Sequence, residues 1–236
     1  MSGLPLRVVD LGRRRYGEVL ELQRELCRRR GSGEIADDLL LLVEHDPVIT
    51  LGRSTRTSSL LTPPGELSRT GVELFEVERG GDVTWHGPGQ LVGYPIFDLQ
   101  GHRPDLHWYL RELEAVLIDA LGHLGIPAER NPGLTGVWTR GRKIASIGIH
   151  VKQWVTFHGF ALNVVNDLSG FGLIVPCGID NVVMTSVARE LAGRSGTTDL
   201  PIRTRAAVID QFARHFTRLP VPAGLDTLLG QPSRQA

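Results

Sequence analysis

Three strand-like runs follow one another in the middle of this chain with almost nothing between them. Leu134–Thr139, Lys143–Lys152 and Val155–Val164 are separated only by Arg140-Gly141-Arg142 and Gln153-Trp154. Turns that short join antiparallel neighbours, whereas a parallel return needs a crossover of about a dozen residues or more. The segment therefore reads as a meander. Around it, residues 16–30 read as an amphipathic helix with Val19, Leu20, Leu22, Leu26 and Cys27 on its apolar side. Leu39–Val43 reads as a buried strand, broken by His45-Asp46-Pro47 and resumed at Val48–Leu51. Val72–Glu78 is a further strand, ended by Gly80-Gly81. Val83–Trp85 and Leu91–Phe97 flank the loop Gly87-Pro88-Gly89. Asp105–Leu124 is the clearest helix, with Gly125 just past its end, and shorter helices are expected over Ser186–Ala192 and Arg205–Phe216. Hairpins with helices interspersed predict an α+β fold, a mixed sheet flanked by helices, and argue against a doubly wound parallel sheet. Residues 1–219 are expected to form a single domain. The tail 220–236 is rich in Pro, Gly and small residues and is expected to be loosely held.

Composition excludes several roles. At 236 residues the chain can bury roughly 70–75% of its unfolded surface without disulfides. Its formal net charge is zero, which argues against nucleic acid as a partner. The arginine clusters 13–15 and 28–30 sit beside acids and read as solvated faces. No apolar run approaches a membrane span and no signal peptide is evident. Cys27 and Cys177, 150 positions apart, are no disulfide framework and fit a reducing compartment, and the missing targeting signals make the expected location cytoplasmic.

Of 26 basic residues only Lys143 and Lys152 are lysines. Arginine cannot give up its proton, so a retained lysine is a candidate acid or base. Strict alternation from position 143 would place Lys143 on one apolar face with Ala145, Ile147, Ile149 and Val151. An amine there is either partly desolvated, favouring its neutral form, or a hairpin-edge charge whose stem snorkels over its neighbours. Lys152 falls on the other face and reads as solvated. Cys177 lies between Pro176 and Gly178 in a shaped loop. A cation nearby would raise its thiolate fraction, while an apolar site would leave it inert. Cys27 reads as core. The run Arg79–Gln90 takes six of its residues from Gly, Pro and Asp, and its paired glycines can present backbone N–H groups to an anion or a carbonyl. It lacks the Gly-Lys-Ser/Thr of a P-loop and the dinucleotide spacing. His86 within it is a possible general base or simply a hydrogen-bonding residue. No metal-ligand pattern stands out.

These residues resemble a known family. Glu44–Arg53, Arg79–Leu91, Lys143–Gly148, Gly159–Val164 and Pro176–Ile179 look like the lipoyl(octanoyl) transferases of lipoate biosynthesis, in order across residues 44–190. The resemblance implies a catalytic domain like those of the biotin and lipoate protein ligases. It implies transfer of an octanoyl group from acyl carrier protein to a lysine of a lipoyl domain, in 2-oxoacid dehydrogenase complexes and the glycine cleavage H protein. Cys177 matches the nucleophile, and Lys143 the residue that activates it and shuttles protons. Arg79, Gly80, Gly81, Asp82, Val83, Thr84, Trp85, His86, Ser146, Ile147, Gly148, Gly159, Phe160 and Ala161 match segments lining the acyl pocket. Ile49 departs from an expected aromatic. No cofactor is implied, because a thioester donor already stores the energy of the amide. An ATP-dependent ligase of the same superfamily is the chief alternative, but it has no use for a cysteine at 177. A catalytically idle binding module is the other, and retention of both Lys143 and Cys177 speaks against it. Acyl carrier proteins are acidic, which makes Arg53, Arg56, Arg140 and Arg142 the candidates for docking.

Overall fold

The computed structural model describes residues 3–178, 181–193 and 199–230. Its elements in chain order are β1 (Leu4–Arg14), α1 (Tyr16–Gly31), β2 (Asp38–His45), β3 (Val48–Leu51), α2 (Pro64–Arg69), β4 (Glu73–Glu76), β5 (Val83–His86), β6 (Gln90–Ile96) and α3 (Leu106–His123). They continue as β7 (Glu129–Asn131), β8 (Leu134–Thr139), β9 (Arg142–Lys152), β10 (Val155–Asn163), α4 (Val187–Glu190), α5 (Leu200–His215), β11 (Arg218–Pro222) and α6 (Leu225–Leu229).

Eight strands make one mixed sheet in the order β11-β1-β2-β6-β10-β9-β8-β7. β1 runs parallel to β2 and β11, and β2, β6, β10, β9 and β8 are mutually antiparallel neighbours. The expected meander is β8-β9-β10. One face of the sheet packs on α3 and α5: Leu40 and Leu42 join Leu113, Leu117, Val208 and Phe212 there. The opposite face packs on α1, where Leu39, Leu41 and Val43 meet Val19, Leu26 and Cys27. β2 is thus apolar without alternation because both of its faces are covered. α3 starts where expected because Asp105 Oδ1 accepts from the Trp108 N–H at 3.0 Å. Among the described residues no helix is long and apolar enough to cross a membrane.

β4, β3 and β5 form a second, small sheet. The His45-Asp46-Pro47 break and the Gly87-Pro88-Gly89 loop are therefore corners between sheets. Val48–Leu51 does not resume β2, and Val83–His86 does not pair with Gln90–Ile96 across Gly87-Pro88-Gly89. The two corners are tied together, since the Gly89 N–H donates to Glu44 Oε2 at 2.8 Å. Ile49 faces Trp85 in register between β3 and β5, and both belong to the core of this small sheet.

The expectation of a domain ending at 219 with a loose tail does not hold over the described residues. β11 runs through Pro222 as the parallel neighbour of β1, and Ala223, Leu225, Leu228 and Leu229 pack on the α1-side core. Arg218 further pins the strand to buried Asp38 at 3.0 Å. Residues 231–236 lie outside the described residues.

Candidate active site

The small sheet lies over the α1-side face of the large sheet, and a cavity of about 220 Å³ opens between them. Ser146, Ile147 and Gly148 of β9, Gly159, Phe160 and Ala161 of β10, and Val92 and Tyr94 of β6 form its floor. Arg79, Gly81, Asp82, Val83, Thr84 and His86 form its roof. Gly133, Leu134, Thr135 and half-buried Cys177 stand at its mouth, whereas Tyr16, Tyr94, His86 and His158 are buried at its closed end. A Cβ at Gly148 would lie 2.9 Å from Gly80 O, so the glycine lets the roof loop come down onto β9. Gly80 and Trp85, expected in the lining, are not part of it. The Gly80 N–H bonds to Ile149 O, and Trp85 turns away to pack against Phe171 at 5.5 Å between ring centroids.

Lys143 Nζ donates to Cys177 Sγ at 3.0 Å and to Thr135 O at 3.3 Å, and lies 4.9 Å over the Trp138 ring. Ser146 Oγ is 3.9 Å from the same sulfur. The two residues singled out by composition are therefore in contact. The route to that contact differs from simple alternation. Between β8 and β9 one step, Val137 to Trp138, faces two, Ala145 to Lys143. This bulge takes Lys143 off the face of Ala145, Ile147, Ile149 and Val151, which packs toward α3 and α5, and turns its amine to the sulfur beside Ser146. Gly136 makes the crossing possible: a Cβ there would lie 2.9 Å from Lys143 Cε and 2.7 Å from Ala145 O. Buried Glu114 of α3 holds that part of β8 by accepting from the Gly136 N–H at 3.1 Å.

The cysteine loop is held from both sides. Upstream, the Val175 N–H donates to Ser59 O at 2.8 Å, and Ser59 Oγ donates to Asp82 Oδ2 at 2.8 Å. Downstream, Val183 O accepts from the backbone N–H of Lys143 itself at 2.8 Å. Cys177 sits at φ 57°, a left-handed conformation unusual for a side-chain-bearing residue and typical of functional loops. Ile179 of the motif lies outside the described residues. Cys27 contrasts with Cys177: it is buried in the core, and burial pushes its thiol up to about 11.

Arg79 is buried with its Nη2 donating to Thr50 O at 2.7 Å and Thr50 Oγ1 at 2.9 Å. Burial pulls its pKa down, partly offset by nearby acidic groups. His86 is no base beside the sulfur. Its Nδ1 bonds Gln90 Oε1 at 2.8 Å, and its ring stacks on Tyr16 at 6.1 Å. Of the proposed docking arginines, Arg142 is committed to buried Glu190 at 2.9 Å, and Arg140 lies 3.9 Å from the same carboxylate. Arg53 and Arg56 line a separate groove with Leu60 and Leu61. Tyr16, Ser59, Val92, Tyr94, Thr135, Gly136, Trp138 and His158 escape the sequence reading. Only His158, adjoining the Gly159–Val164 segment, carried a local signal.

Burial holds His45 at about 4 and His86 and His158 at about 3, below the usual imidazole value. Below pH 6.5 these histidines take up protons in the unfolded chain and stay neutral in the folded one, so stability falls as pH falls. The contribution is complete above pH 6.5 and is lost on the way down toward the folded values. Calorimetry from pH 7.5 to 5 is expected to show a falling Tm across the lower part of that range, where carboxylates remain ionised in both states. A flat Tm would contradict the burial of neutral imidazoles.

The family described as the lipoyl protein ligase A/B catalytic domain matches residues 15–217. An octanoyltransferase of Solibacter usitatus is 50% identical over 210 residues, 89% of this chain and 90% of that protein. One of Synechococcus elongatus is 49% identical over 237 residues, 100% of this chain and 98% of that protein. A solved bi-partite lipoate protein ligase with its E2 lipoyl domain, from Thermoplasma acidophilum, matches 95% of this chain and 90% of that one with a TM-score of 0.69. At 15% identity that likeness speaks to the fold. The chain belongs to the lipoyl protein ligase A/B catalytic-domain family and, within it, to the octanoyltransferases.

Proposed function

We propose that this protein is an acyltransferase that moves an octanoyl group from the thioester of acyl carrier protein to a lysine of a lipoyl domain, through a thioester on Cys177. The observation that carries the reading is the 3.0 Å contact of Lys143 Nζ with Cys177 Sγ at the mouth of the cavity between the two sheets. The cavity size supports it. An apolar cavity of about 150 Å³ takes benzene, so about 220 Å³ takes roughly nine heavy atoms, the eight carbons and one oxygen of an octanoyl group.

The steps balance without an added reagent. Cys177 Sγ attacks the donor carbonyl, the carbon–sulfur bond to the carrier breaks, and the departing thiolate takes a proton from the Lys143 ammonium. The substrate lysine, as a neutral amine, then attacks the acyl-cysteine. The bond to Sγ breaks, and the amine's surplus proton passes to neutral Lys143. One thioester replaces another before the amide forms, so no nucleotide enters.

Intact-mass measurement tests this. Protein mixed with octanoyl carrier protein, chelator present and nucleotide absent, is expected to gain one octanoyl group on Cys177. Adding a lipoyl domain should move that group to the domain's lysine. Transfer that requires ATP and free octanoate would make the protein a ligase instead.

A further inference from the structure

The closed end of the cavity is more polar than an alkyl tail requires. The hydrogen bonds around it determine what it presents. Gln90 Nε2 donates to Trp85 O at 3.3 Å and to Asn163 Oδ1 at 3.0 Å, which leaves Gln90 Oε1 as the acceptor facing His86 Nδ1. His86 therefore carries its proton on Nδ1, and Nε2 keeps a bare lone pair. His45 Nδ1 donates to Arg14 O at 3.0 Å, so its Nε2 accepts from the Tyr94 hydroxyl at 2.8 Å. The Tyr94 oxygen retains its capacity to accept. Tyr16, which packs against both His45 and His86, has no hydrogen-bond partner for its hydroxyl among the described residues. His158 Nε2 is likewise buried without one. Groups of this kind around a cavity hold water when no ligand is present.

We infer that this polar end wall, and the Tyr16 hydroxyl above all, sets the length of acyl chain the site accepts. The inference rests on the cavity being the acyl site. Cys177 meets Lys143 and Ser146 of β9, and Tyr94 lies on β6, two strands away. That is about 10 Å at the usual strand spacing. An extended eight-carbon chain, advancing about 1.25 Å per bond, spans about 9 Å. Its methyl group reaches the end wall and stops there. Two further methylenes must displace water from the Tyr16 hydroxyl and His86 Nε2 and give them no hydrogen bond in return. Burying unsatisfied polar groups is costly, so polarity adds to volume in rejecting longer chains. Tyr16 stands at the first position of α1, so the mouth of the site and its length limit come from distant parts of the chain.

The test compares Cys177 acylation by octanoyl and decanoyl thioesters of one small thiol, which removes carrier docking from the comparison. Wild type, Tyr16→Phe and Tyr16→Leu are measured as kcat/KM. Tyr16→Phe removes only the hydroxyl and is expected to shrink the preference for octanoyl about tenfold. Tyr16→Leu also adds room and is expected to raise kcat/KM for decanoyl above the wild-type value. An absolute gain with the longer donor cannot come from a damaged fold. Equal slowing of both donors in both variants overturns the inference alone. A wild type that takes neither donor removes the acyl reading of the cavity, and this inference with it.

Discussion

Replacing Cys177 with serine is expected to cut octanoyl transfer by about a thousandfold or more, as removal of a covalent nucleophile does, with little change in the unfolding midpoint. The side chain is half-buried, and the polar side-chain atoms in contact with its sulfur among the described residues are Lys143 Nζ and Ser146 Oγ. Serine keeps the shape and can hold the same left-handed backbone as readily as cysteine. It loses the chemistry: a hydroxyl stays protonated where a thiol can ionise, and the thiolate is the attacking form. Single-turnover acylation with an octanoyl thioester measures the loss directly. A second readout comes from thiol alkylation. Buried Cys27, its thiol pushed up to about 11, should stay unlabelled while Cys177 reacts, so the serine variant should take up almost no reagent. Near-normal turnover by Cys177→Ser would falsify the acyl-cysteine route.

What could be read in the sequence depended on how local the cause was. The meander is local: two turns of two or three residues leave no other pairing. α3 is local too, an apolar stripe with a capping aspartate. β1 was missed because its partners are β2 and β11, the latter some 210 positions away, and pairing that remote leaves no periodic trace in a run holding Pro5, Gly12 and three arginines. Whether Val83–Trp85 and Leu91–Phe97 pair was open in the sequence, because a Gly-Pro-Gly turn is compatible with either a hairpin or a corner. Only the positions of Glu44 and β3 decide between them. Lys143 was placed on the wrong face because alternation cannot anticipate a bulge, and the bulge depends on the register of β8. The Lys143–Cys177 pairing was still legible, through a scarcity of lysine and a cysteine between Pro and Gly. The closed end was not. Tyr16, Tyr94 and His158 come from α1, β6 and β10, and nothing in their spacing unites them before the chain folds.

Lys143→Arg is expected to lose about a hundredfold or more in transfer, the usual contribution of a positioned acid–base group. Lys143 is 1% exposed, and none of its amine's polar contacts among the described residues is a carboxylate. Its amine touches the sulfur, one carbonyl and one ring face. The sulfur of Cys177, at 3.0 Å, is the nearest polar side-chain atom to the amine. Arginine preserves the charge but cannot accept the proton that the substrate amine must shed. It is also larger, and the slot is tight, since even a Cβ on Gly136 would press on Lys143 Cε at 2.9 Å. Lys143→Met separates size from proton chemistry, being close to lysine in shape and without charge. Alkylation of Cys177 and transfer to a lipoyl domain are measured for both variants. The arginine variant should keep more of its alkylation rate than of its transfer rate, because a cation favours the thiolate but only a group that can become neutral takes up the substrate amine's proton in the second half-reaction. The methionine variant should lose both. If arginine retains both, Lys143 acts by charge alone; if methionine retains transfer, the pair with Cys177 is not the catalytic device.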